Sequence, residues 1–129
     1  MASIYANGTP RNTVVQLTTA NTNLDGTGTV ATLIAGAASP GSVVIGCRIK
    51  AIVSTTLGMI RFYYYNGTNT RLMSEVKVPP LTISGAQQVA WEFDWTPPFP
   101  LKLASASEEL RASTHVSETF NVTTTVGDL

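Results

Sequence analysis

Cysteine occurs once in this chain, at Cys47, and histidine once, at His115. A single thiol closes no disulfide within the chain, so nothing points to a cystine-stapled secreted scaffold. A single histidine leaves no His-based metal centre within one chain except with carboxylates, and no suitable spacing of those occurs. Charge is scarce as well: Asp, Glu, Lys and Arg make up 12% of the 129 residues, eight acidic against eight basic, where an ordinary domain carries about a quarter. Without a basic stripe the chain has no electrostatic footprint for nucleic acid or for an anionic membrane, and neither is expected as a partner. No apolar run approaches the roughly 18 residues that would span a bilayer. The opening MASIYANGTPRN lacks the basic and apolar regions of a secretion signal, so the chain reads as made in a cytoplasm. Helical periodicity is absent throughout.

What is abundant is the strand-forming set of Val, Ile, Thr, Tyr, Phe and Trp, punctuated by Gly, Pro and Asn at about ten-residue spacing. That pattern predicts an all-β chain: an antiparallel β-sandwich of eight or nine strands, jelly-roll or a related Greek key. Strands are expected over 13–18, 29–35, 43–54, 57–65, 70–78, 87–96, 101–104, 110–114 and 119–125. Residues 1–12, polar and turn-rich, read as an extended N-terminal arm, and 13–129 as one domain. With so little charge, Thr, Ser and Asn must carry the surface, which suits a protein packed against copies of itself.

Alternation assigns faces. In VVIGCRIKAIVS, Val43, Ile45, Cys47, Ile49, Ala51 and Val53 share one side, and Arg48 and Lys50 the other. In QQVAWEFDWT, Val89, Trp91, Phe93 and Trp95 oppose Gln88, Ala90, Glu92 and Asp94. The stretch FYYYNGTNTRL holds a hairpin tip. A two-residue turn at Asn66-Gly67 would set Phe62 against Arg71, pairing an apolar face with a charged one. Shifting by one residue sets Phe62 against Leu72 and Tyr64 against Thr70, so the burial pattern demands an odd loop or a bulge. Tyr64 then joins Phe62 in the core. Met59, Arg61, Tyr63 and Tyr65 share an outer face with Arg71, Met73, Glu75 and Lys77. Aromatic, Met and Arg side chains are enriched at the centres of protein interfaces. Met59, Arg61, Tyr63, Tyr65, Arg71 and Met73 are therefore the expected interface, the alternative being a solvated face with amphipathic chains lying flat on it.

Chemistry finds little purchase. Cys47, with no cationic neighbour in sequence, reads as a small buried hydrophobe. Trp91, Phe93 and Trp95 read as core before they read as a sugar platform. Glu92 and Asp94 share a face, but no second carboxyl is placed across a cleft from them. Glu108-Glu109 reads as a solvated turn. His115 has no nucleophile elbow or Asp partner to complete a triad. LDGTGT, from Leu24, lacks the Lys and helix of a phosphate loop. Neither an enzyme nor a cofactor or metal site is expected.

The segments MASIYANGTPRNTVVQL, NGTNTRLMSEVKV and LRASTHVSETFNVTTTVGDL make the chain similar to a group of small all-β proteins encoded among the structural genes of tailed bacteriophages and prophages. The resemblance covers most of the chain and includes no catalytic motif, so it transfers no site residue. It implies a virion protein: an auxiliary capsid, or head-decoration, protein on the outside of the major capsid shell, commonly a homotrimer that stabilises the shell. Alternatives are a phage tail or fibre-type binding module that recognises a host glycan, and a small jelly-roll coat protein.

Overall fold

The structure, a computed structural model, describes residues 8–85 and 87–129. Nine strands carry the chain: β1 (Thr9–Leu17), β2 (Ala31–Ala35), β3 (Ser42–Ala51), β4 (Gly58–Tyr65), β5 (Thr70–Val78), β6 (Glu92–Trp95), β7 (Lys102–Leu103), β8 (Glu109–Thr114) and β9 (Phe120–Asp128). No helix occurs among the described residues. One sheet runs β1-β9-β3-β6, with β7 also on β3, and the other runs β2-β8-β4-β5. All strand pairings are antiparallel.

Part of the expected arm is strand. Thr9–Asn12 pair with β9, from Thr9 opposite Asp128 to Asn12 opposite Thr125, while residues 1–7 lie outside the described residues. Gly8 sets the entry to β1: its φ of +85° is a left-handed conformation. A side chain there would also collide with the Asp128 carbonyl. Arg11 extends the tie, its guanidinium donating to Asp128 at 2.9 and 3.2 Å and to the Ala35 carbonyl at 2.7 Å.

The two sheets pack face to face on a shared core of Leu17, Ile34, Val44, Ile49, Ile60, Phe62, Val76, Trp95, Leu103, Leu110, Val122 and Val126. Trp95 of one sheet stacks on Phe62 of the other, centroids 4.0 Å apart, while its indole N–H donates to Ser74 Oγ at 3.1 Å. Burying two large aromatics here is affordable because the one polar atom of the indole has a partner.

Period-2 reading misplaces several residues, each for a local reason. A bulge between Val44 and Gly46 reverses the early alternation of β3, so Val44 is buried and Ile45 is exposed, against expectation. From Cys47 onward the faces are as expected. Val53 lies beyond the end of β3, and Val89 before the start of β6; both are exposed rather than buried. Phe93 does face inward beside Ile49, but β6 is an edge strand and leaves its ring half-exposed. Trp91, just ahead of β6, packs partly on the core, 6.1 Å edge-on to Phe120.

Candidate interaction surfaces

The hairpin of β4 and β5 has a bulge, as its burial pattern demands, but the expected pairs of Phe62 with Leu72 and of Tyr64 with Thr70 do not form, because the loop is longer than expected. Its four-residue loop, Asn66 to Asn69, is closed by the Asn66 side chain accepting from the amides of Thr68 and Asn69 at 3.0 and 2.8 Å. Tyr65 faces Thr70, Tyr64 faces Arg71 and Tyr63 faces Leu72. Met73 is then the extra residue of a bulge, and beyond it Phe62 faces Ser74 and Arg61 faces Glu75. The six expected interface residues are divided by this bulge. Met59, Arg61, Tyr63 and Tyr65 share the outer face, whereas Met73 packs against the core and Arg71 stands level with inward-facing Tyr64.

That outer face is largely covered by the chain itself, which corrects the expectation of a face left open for another subunit. Tyr63 is fully buried and Arg61 nearly so. The loop between β1 and β2 covers Tyr63 and Thr70. Tyr63 Oη lies 3.1 Å from the Asn23 carbonyl, to which it donates, and 3.1 Å from Ser113 Oγ. Gly26 approaches Thr70 so closely that a Cβ would run into its carbonyl, and its φ is +87°. Asn21 anchors the loop: its amide donates to the Thr114 carbonyl at 2.8 Å, and its buried side chain donates to the carbonyls of Thr27 and Thr29. LDGTGT is thus a packing loop.

At the far end of the same face Arg111 lies 3.7 Å over the Tyr65 ring, with its guanidinium donating to Glu109 at 2.8 Å and to Thr70 Oγ1 at 2.9 Å. Glu109 also accepts from Thr32. Glu108 accepts from the Tyr64 hydroxyl and from the Ala104 amide. Glu108-Glu109 is therefore a bonded pair of carboxylates rather than a solvated turn. Burial, helped by Glu108, pushes the Tyr64 hydroxyl up to about 12.

The candidate chemical groups are engaged elsewhere. Cys47 Sγ is buried 3.4 Å from Thr124 Oγ1, and loss of solvent pushes its thiol up to about 11. Asp94 and Glu92 receive Arg48 at 2.8 and 2.9 Å, and Lys50 stands 3.2 Å from Glu92. No group of three metal-ligating side chains occurs among the described residues. His115 Nδ1 and Arg61 Nη1 are buried without a hydrogen-bond partner among the described residues, while Arg61 Nε holds Glu75 at 2.9 Å.

An open apolar surface lies at one end of the molecule, where β3 finishes, β4 starts, β5 finishes and β6 starts. Ile52, Leu57, Leu81 and Val89 stand exposed there, Leu57 at 60% and Val89 at 70%. Ile52 and Val89, with Ile83, line a groove of about 480 Å³ that Lys50 and Glu92 also border. This end is rigidly built. Thr55 and Leu81 exchange backbone hydrogen bonds at 2.9 and 3.0 Å, Thr55 Oγ1 donates to the Pro79 carbonyl, and the Ile83 amide donates to Ser54 Oγ. Sequence reasoning missed it because Val53 and Val89 extend strand-like alternation; the signals against that were Pro79-Pro80 and Ser84-Gly85, which place these segments in crossing loops.

No known protein family matches this chain, and no curated protein and no solved structure is similar enough to count as a match.

Proposed function

We propose that this chain is a non-enzymatic structural protein of a virion. In this reading it is a head-decoration protein, made in a host cytoplasm, that forms a homotrimer and binds the major capsid protein on the outside of the shell, stabilising it. The fold that serves this role is a jelly roll. With the two-residue β7 set aside, eight strands pair first with last (β1, β9), second with seventh (β2, β8), third with sixth (β3, β6) and fourth with fifth (β4, β5). A long antiparallel hairpin rolled over into two facing sheets produces that order, the double Greek key of capsid and lectin domains.

The observation that carries the functional reading is the stitched apolar end. Exposed aliphatic surface forgoes roughly 25 cal/mol per Å² of burial, and a patch held rigid by paired loops fits a body that is covered in use. The engaged carboxylates and the buried Cys47 support a non-catalytic role. Sedimentation at tens of micromolar, with and without assembled shells, tests the reading. Association that is lost on Leu57→Asp or Val89→Asp supports it; a wild-type monomer that ignores shells removes it.

A second reading has its own observation. Trp91 and Phe93 stack at 6.2 Å with planes 10° apart, and the Phe93 ring is 44% exposed. An aromatic pair at the start of an edge strand suits a glycan-binding tail or fibre module. Tryptophan fluorescence that shifts on titration with saccharides, and no longer does so in Trp91→Ala, would favour it. The small coat protein shares the jelly-roll argument and differs in its test: it would close into shells without any other protein.

A further inference from the structure

A second surface, remote from the apolar end, combines three features that point to one kind of occupant. Five of the eight cationic side chains, Arg11, Arg48, Lys50, Arg61 and Arg111, lie within ion-pair distance of a carboxylate. Of the remaining three, Arg71 and Lys102 line the same groove, of about 530 Å³. Arg71 spends one N–H on the neighbouring Thr70 carbonyl, and Glu108, which contacts the lining residue Tyr64, is engaged by Tyr64 and Ala104. Arg71 and Lys102 thus stand together on one largely apolar groove, neither within ion-pair distance of a carboxylate among the described residues.

The groove is lined in part by β5, which pairs with β4 on one side and with no strand among the described residues on the other. Such an edge offers unpaired backbone donors and acceptors to an added strand. The bulge at Met73 turns that side chain inward, where it lines the groove with Leu101. Opposite stands Phe99, 48% exposed, between Pro98 and Pro100. Prolines fix φ on both sides of the ring, so little conformational entropy is lost when a ligand packs on it.

We propose that this groove receives an extended, acidic segment of another protein chain, which adds to the edge of β5, seats an apolar side chain between Phe99 and Met73, and sets carboxylates against Arg71 and Lys102. The site stands apart from the apolar end and does not depend on the role assigned to it.

The test uses the whole chain, isotope-labelled for amide NMR, titrated with a blocked Glu-Val-Glu-Val-Glu peptide and with its Lys-Val-Lys-Val-Lys counterpart. The acidic peptide should shift the amides of Arg71 to Ser74 and of Phe99, Leu101 and Lys102, and high salt should weaken it. Arg71→Gln with Lys102→Gln should weaken binding about tenfold, as expected of two exposed ion pairs. Arg71→Glu with Lys102→Glu should reverse the preference toward the basic peptide, an outcome that a merely unfolded variant cannot give. No acidic-peptide shifts at millimolar concentration, shifts elsewhere, or binding of anionic vesicles or duplex DNA in place of the peptide would overturn the proposal.

Discussion

The Phe62 ring of β4 and the Trp95 ring of β6 lie parallel, 4.0 Å between centroids and 8° between planes, and join one sheet to the other through the middle of the core. Truncation at this point opens a cavity that neither sheet can close alone. Phe62→Ala should lower the unfolding free energy by about 3–5 kcal/mol, measured by chemical denaturation. Phe93→Ala, at the open edge of β6, should cost less than half as much. Equal costs would contradict a core centred on the Phe62 and Trp95 stack.

Tyr63→Phe removes a hydroxyl held between the Asn23 carbonyl and Ser113 Oγ without changing the packed ring. A loss of about 1–2 kcal/mol is expected. The local effect is more telling: amide exchange at Asn21, bonded to the Thr114 carbonyl, should accelerate because the loop over the outer face is loosened. Unchanged exchange there would mean that the hydroxyl does not hold the loop.

Arg11 holds the Asp128 carboxyl below its ordinary value of 3.8, against the upward push of burial, and Ser42 adds a further hydrogen bond. A depressed folded value means that the stabilisation is present above 3.8 and is lost as pH falls through the lower folded value. Asp128→Asn should therefore cost about 1 kcal/mol near neutrality, discounted for a pair that is partly exposed. The gap between variant and wild type should close in acid below the ordinary carboxylate range. Denaturant titrations across pH check it, and a gap that persists at the acid end would count against the assignment.

Cys47 should be inert in the folded protein. With its thiol pushed up to about 11 from an ordinary 9.0, the thiolate fraction near neutrality drops about a hundredfold, and burial further blocks access. A disulfide reagent should label it at the free-thiol rate only after denaturation. Rapid labelling of the native state would show that β3 opens at Cys47.

Much of the fold was legible because strand formation and face alternation are local. The strand over 70–78 has the bounds that its pattern implies, Cys47 points inward, and Tyr64 packs toward the core beside Phe62. The need for a bulge in the β4 and β5 hairpin followed from burial alone, because a regular ladder would have put Phe62 against Arg71. Neither its location at Met73 nor the register did: one extra residue restores the facing of the side chains wherever it is inserted, and the four-residue loop sets Phe62 against Ser74 instead of Leu72. Ile45 went astray for the same reason, through a bulge in β3 that its own sequence does not announce.

By itself, then, the sequence determined a chain of antiparallel strands without disulfide or strong charge, and it determined which neighbours in a strand share a side. Whether a side is covered was decided only in three dimensions. Tyr63 has the alternation of an outward residue and is buried because Asn23, forty residues earlier, is brought over it; Val89 has the alternation of a core residue and is exposed because its segment crosses the end of the sheets. Side-chain direction depends on the backbone a residue or two away, whereas burial depends on which distant segment closes over it, and no local pattern records that closure.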